Sequence, residues 1–146
     1  LDIAHVRSKM SGFTKTHCDP KTGVSIITEA VKHALDASVS TRTSSYFADR
    51  LIQARNDETF LSRYLQNADQ RALVMKVLHE REKALTHRVI DSVGRFAGFT
   101  HVMVVGGGAS LVADAVKKAT GVGDDRFFVS DNPQFDLVLG MVAMKG

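Results

Sequence analysis

The sequence predicts an α/β fold interrupted by an all-helical insertion, and three observations carry that prediction. Two β-patterned runs and a helix open the chain, and a stretch of helices with no strand pattern fills its middle. Strand, glycine turn, helix, strand and helix then close it. That order fits a layered α/β unit split by a helical block.

In the first segment Ile3, His5 and Arg7 alternate with Asp2, Ala4 and Val6, and a second β-rich run follows the turn-like Ser11 and Gly12. Adjacent strands in a hairpin are expected. Asp19, Pro20 and Gly23 break the pattern, after which Val24, Ile27, Ala30, Val31, Ala34 and Leu35 recur at helical spacing, so a helix is expected from about Gly23 to Asp36. The hydroxyl-rich SVSTRTSS supplies cap residues for a second helix over YFADRLIQA. A short third helix is expected at DETFLSRYL. From Asp69 to Val93 no Gly or Pro occurs, which predicts one long amphipathic helix with Leu73, Val77, Leu85 and Val89 among its apolar positions. Beyond Gly98 come the strand HVMVV, the glycines Gly106, Gly107 and Gly108, a helix over ASLVADAVKKA and the short strand RFFV. A closing helix is expected over PQFDLVLGMVAM, with Pro133 near its first turn, where the missing amide costs little.

Composition bounds the class. With 146 residues, 44% hydrophobic and 24% charged, the chain is long enough to fold around its own core without a metal or disulfide staple. Cys18 is the single cysteine, so no intramolecular disulfide exists, which fits a reducing, cytoplasmic setting. The longest apolar runs, near Val102 to Val105 and Leu137 to Leu139, fall far short of the ~20 residues of a spanning helix. The amino end lacks the basic start and apolar stretch of a secretory signal, and it opens directly on a strand pattern without methionine, as a piece of a longer chain would. A formal charge of +3 with interspersed signs argues against direct nucleic-acid binding, as does the lack of any basic stretch interleaved with aromatics.

The strongest local signal is VMVVGGGASL. Glycines at a strand end let a ligand approach backbone closely, and free amides at the next helix start favour polar or anionic groups. A tight strand-to-helix turn with no ligand explains the glycines equally well. Leu111 stands where a dinucleotide fingerprint needs its third glycine, and the Lys and Ser/Thr of a Walker-type phosphate loop are missing. Ser110 lacks the second glycine of a hydrolase elbow, since Val112 occupies that position. Of the six histidines, His5, His17, His33, His79, His87 and His101, no two have the four-residue helical spacing of a metal pair. Cys18 is expected to be a buried, structural thiol, the five methionines to fill the core, and Arg42, Arg50 and Arg55 to be solvated. Asp49 and Arg50 lie on a helix beside the hydroxyl-rich segment. A carboxylate there is able to accept from a ribose hydroxyl, although a pair of surface residues accounts for them as well.

Read end to end, the blocks LDIAHVRSKMSGFTKTHCDPKTGVSIITEAVKHAL, SSYFADRLI, GFTHVMVVGGGASLVADAVKK and DDRFFVSDNPQFDLVLGM resemble the second half of the ParM/StbA family. They stand in family order at family spacing over essentially the whole chain. The resemblance implies an actin-like ATPase domain with a ribonuclease-H-like core, truncated before its first strand. It assigns residues 1–37 and 99–146 to the larger α/β subdomain and 38–98 to the inserted helical one. It further implies a cytoplasmic bacterial protein that binds ATP or ADP with Mg, assembles into filaments and meets a ParR-like plasmid-bound adaptor. On this resemblance Gly106, Gly107 and Gly108 are neighbours of adenine and ribose, with Asp49 and Arg50 as candidates for the other side of the pocket.

The family's aspartate and glycine-rich phosphate hairpin belongs immediately before Leu1, and its other phosphate loop and catalytic carboxylate belong earlier still. Phosphoryl transfer depends on those parts, so residues 1–146 are expected to contain no catalytic residue, to hydrolyse no ATP alone, and to hold nucleotide weakly or not at all. The missing first strand is expected to leave a gap in the sheet, filled by an upstream peptide or a neighbouring copy. Two rivals stand beside this reading: part of a sugar or acid kinase of the same superfamily, and an interaction module that binds no nucleotide.

Overall fold

The computed structural model describes residues 1–6, 12–37, 42–129, 132, 135–136 and 139. Most of the closing helix expected over PQFDLVLGMVAM lies outside these residues. Among the described residues five helices and two small sheets make this a mixed α/β chain. The chain forms two compact units, residues 24–84 and residues 1–23 together with 85–146.

The unit of residues 24–84 is helical. Helix α1 (Ser25–Asp36) buries Ile27, Thr28, Val31, Ala34 and Leu35, the face that the spacing predicts. Helix α2 (Ser45–Gln53) buries Ala48, Leu51 and Ile52, and α1 packs on it. The hydroxyl of Ser44 caps α2 by accepting the Phe47 amide, and the Asp57 carboxylate caps α3 (Glu58–Tyr64) by accepting the Phe60 amide at 3.0 Å. Helix α4 (Ala68–Val93) supplies Val74 and Leu78 to this unit's core. Leu85 and Val89 are buried as the spacing predicts, whereas in the first half of α4 the stripe is displaced by one residue: Leu73 is exposed and Val77 half-buried, and Val74 and Leu78 form the packed face. Arg55, expected in solvent, is half-buried and pairs with Glu82 of α4 at 3.4 Å, because burial of a guanidinium demands a partner. The Phe47, Phe60 and Tyr64 rings meet edge to face and tilted across α2 and α3.

The unit of residues 1–23 and 85–146 carries the four strands found among the described residues. Strand β1 (Asp2–Val6) runs antiparallel to β2 (Phe13–Cys18), with Asp2 opposite Cys18 and a register shift between His5 and Val6. The hairpin is thus observed. Past its end, Asp19 accepts from the Thr22 hydroxyl at 2.5 Å and the Lys21 amide at 2.9 Å, and these bonds hold its carboxyl below the usual range. Lys15 of β2 lies over the Phe96 ring and donates to the Arg95 carbonyl at 2.6 Å, tying the hairpin to the segment after α4.

Strand β3 (Val102–Val104) pairs in parallel with β4 (Phe127–Val129), and α5 (Ala109–Thr120) crosses between them and packs back on both. Gly121 ends α5 in the left-handed region at φ +65°, donating its amide to the Lys117 carbonyl. Lys117 in turn pairs with Asp124 and lies 5.8 Å from the Phe127 ring centre.

Two expectations are corrected in this unit. Cys18 is exposed, because it ends an edge of the hairpin, and the neighbouring Asp2 carboxylate pushes its thiol up by hydrogen bonding and charge. Met103 is 64% exposed and sits opposite the exposed Phe128, so it fills no core. Strand alternation explains this: Val102 and Val104 point to the half-buried side and Met103 to the other. Among the described residues the strands form two separate two-stranded sheets rather than one.

Candidate functional site

The glycine turn is built by the strand before it and the helix after it. Strand β3 ends at Val104, and Gly106 turns the chain at φ +96°, a region that L side chains rarely adopt. Gly108 is the cap residue of α5 at φ −94° and ψ −2°, and no side chain caps the helix. The Ala109 amide donates to the Gly106 carbonyl and the Leu111 amide to the Gly108 carbonyl, both at 3.0 Å, which closes the turn tightly. Ala109, Val112 and Val116 are buried and fix the helix, so its amino end is held at the carboxyl end of β3.

The turn itself is open. A Cβ built on Gly106 or Gly107 meets nothing within 4 Å, and Gly107 is exposed. The glycine at 106 is therefore required by backbone conformation, whereas Gly107 is required by no conformation or clash within the chain. Among the described residues the Gly107 and Gly108 amides have no backbone acceptor, and they stand at the electropositive end of a twelve-residue helix. From Val102 to Val116 the one charged side chain is Asp114. Such a surface is able to receive a flat, uncharged, polar group against backbone, with hydrogen bonds to exposed amides. Val105, 45% exposed, adds an apolar wall before the turn.

Gly106, Gly107 and Gly108 thus lie together in one turn. Asp49 and Arg50 lie together on α2, in the helical unit. Asp49 is half-buried and its Oδ1 accepts from the Thr28 hydroxyl at 2.6 Å. Arg50 is exposed; its carbonyl accepts the Ala54 amide at 2.9 Å, and its guanidinium has no hydrogen bond or ion pair with any described residue. Thr28 escaped the sequence reading. Its signal was present, however: it lies four residues after Val24 and three before Val31, a hydroxyl inside the apolar stripe of α1. Among the described residues no group of three or more His, Cys, Asp and Glu side chains is arranged to hold a metal ion, and no helix is long and apolar enough to cross a membrane.

Comparison with known proteins adds a family to this geometry. The family described as plasmid segregation protein ParM, C-terminal, matches residues 1–144. No curated protein matches the chain. Because the match covers nearly every residue, including both units and the glycine turn, the chain belongs to the ParM family of plasmid segregation proteins.

Proposed function

We propose that the whole protein is an actin-like ATPase whose filaments segregate plasmid copies, and that this chain forms the adenosine side of its nucleotide site. Gly106, Gly107 and Gly108 approach adenine and ribose through backbone, and Asp49 and Arg50 of α2 flank the sugar. Residues 1–37 and 99–146 form the larger subdomain and 38–98 the inserted one. ATP or ADP with Mg is the ligand of the whole protein, and its phosphate and metal contacts come from family segments outside residues 1–146. This stretch alone hydrolyses no ATP. Its partners are further copies of itself and a plasmid-bound adaptor, in the bacterial cytoplasm. By the same resemblance, a strand from outside residues 1–146 joins β1 to β3 in one sheet.

The observation that carries this reading is the family match over residues 1–144, which contains the open glycine turn. Two features of the turn favour adenosine over phosphate, its open face and its lack of any basic side chain, and the Gly107 and Gly108 amides, which have no backbone acceptor among the described residues, supply donors to a polar ligand. The two separate sheets fit the missing strand, since two-stranded sheets are marginal alone and parallel pairs are normally buried on both faces.

The test uses the full-length protein. Titration with fluorescent ATP is expected to saturate, and light scattering to rise on addition of Mg-ATP. Saturable binding with phosphorylation of a small sugar or acid, and no scattering, would instead identify a kinase. Lack of binding at millimolar ATP would leave an interaction module.

A further inference from the structure

We infer that Thr28 is a positioning residue for the ribose contact: its hydroxyl holds the Asp49 carboxylate so that the second oxygen is presented to a sugar hydroxyl. This inference rests on the adenosine reading above.

The Thr28 hydroxyl has one proton and two acceptors within reach, the Val24 carbonyl at 3.3 Å and Asp49 Oδ1 at 2.6 Å. The short bond goes to the charged acceptor, as charge-assisted hydrogen bonds do. Thr28 is 6% exposed and fixed within the packed face of α1, so it is a rigid donor. Asp49, by contrast, is half-buried and has two torsions to fix. With Oδ1 engaged, both torsions are constrained, and Oδ2 has no partner among the described residues.

The pair is not needed to join the helices. Ile27, Val31, Ala48 and Leu51, all 1% exposed or less, already pack α1 and α2 together. A half-buried carboxylate at a packed helix contact carries a desolvation cost that an apolar residue there would avoid. Orienting an acceptor for a hydroxylated ligand explains why a carboxylate and its donor are both present.

The experiment compares ATP with 2′,3′-dideoxyATP, which lacks both ribose hydroxyls, by calorimetric titration of the full-length protein. Three forms are used: the parent, Thr28→Val, which keeps shape and loses the donor, and Thr28→Ser, which restores it. The parent should prefer ATP by roughly tenfold, the size of one hydrogen bond to a charged acceptor. Thr28→Val should lose most of that preference through weaker ATP binding alone, and Thr28→Ser should recover it. Equal weakening of both nucleotides by Thr28→Val would make Thr28 merely structural, and an unchanged preference would show that Asp49 needs no positioning. Either result overturns the inference. A parent that binds both nucleotides equally also overturns it while leaving the adenosine reading intact. A parent that binds neither refutes both.

Discussion

The two units of this chain differ in where their secondary structure finds its hydrogen bonds, within each helix in one and between separate strands in the other. In residues 24–84 each element is formed locally, by apolar stripes at helical spacing, the Ser44 and Asp57 caps, and the bond by which Asp36 accepts the Thr43 amide at 2.6 Å across the α1–α2 connection. In the strand-bearing unit the partners are distant, since β3 and β4 pair over about a helix's length of chain and Lys15 reaches the Arg95 carbonyl. The helical unit buries Val31, Ala48, Leu51 and Val74 at 0% exposure, with Tyr46, Tyr64 and Leu73 at its surface. The strand-bearing unit instead leaves Met103, Val105 and Phe128 exposed beside the glycine turn. One unit is thus built around a buried helical core, and the other carries an open turn after a strand with one exposed face.

Four substitutions and a pH series test that contrast. Leu51→Ala should have the largest effect, lowering unfolding free energy in urea by about 3 kcal/mol through lost burial and the cavity left behind. A loss under about 1 kcal/mol would mean that the helical core is loosely packed. Gly106→Ala comes next, at about 1–2 kcal/mol, because φ +96° strains an alanine even though its methyl group has room. Asp57→Ala removes the α3 cap and should cost about 1 kcal/mol by the same measurement.

The acid limb of stability gives a smaller signal whose sign is fixed by hydrogen bonding. The Thr43 amide, with the Thr43 hydroxyl, holds the Asp36 carboxyl below its usual range in the folded chain. A depressed folded value means that the stabilisation is fully present above the unfolded carboxylate value and is lost as pH falls through the folded one. The fall of the thermal midpoint between neutral and strongly acidic pH should therefore be smaller for Asp36→Asn than for the parent; an identical fall would remove the bond from the balance. Met103→Ser should change stability least, by less than about 0.5 kcal/mol, since the side chain is 64% exposed. A cost equal to that of Leu51→Ala would show that this face is covered in solution.

Much of the architecture could be read from pattern alone. Helices α1, α2 and α5 follow from apolar spacing, and the ends of α2 and α3 follow from hydroxyl and carboxylate caps. The hairpin followed from alternation. What failed was what alternation and spacing do not encode. Which of two adjacent apolar residues faces inward on α4, Leu73 or Val74, depends on the elements packed against it, and a long helix with little amphipathic contrast leaves that choice open. The exposure of Met103 and Cys18 depends on which face of a strand is covered, which a single strand's sequence does not say. The glycine turn was visible as a signal, yet the chemistry proposed for it rests on the order and spacing of distant blocks. Thr28 was hidden because a threonine in an apolar stripe has no meaning until its acceptor, twenty-one residues on, is known.

The most direct test of the adenosine assignment is a bulky side chain at Gly107. A Cβ there meets nothing within 4 Å and the backbone needs no positive φ, so Gly107→Leu should leave the thermal midpoint of the full-length protein unchanged. Calorimetric titration of that variant should show ATP affinity reduced by about a hundredfold or more, equivalent to roughly 3 kcal/mol, because the leucine occupies the space claimed for the nucleoside. A folded Gly107→Leu protein that binds ATP as tightly as the parent would contradict the assignment of this turn to the nucleotide.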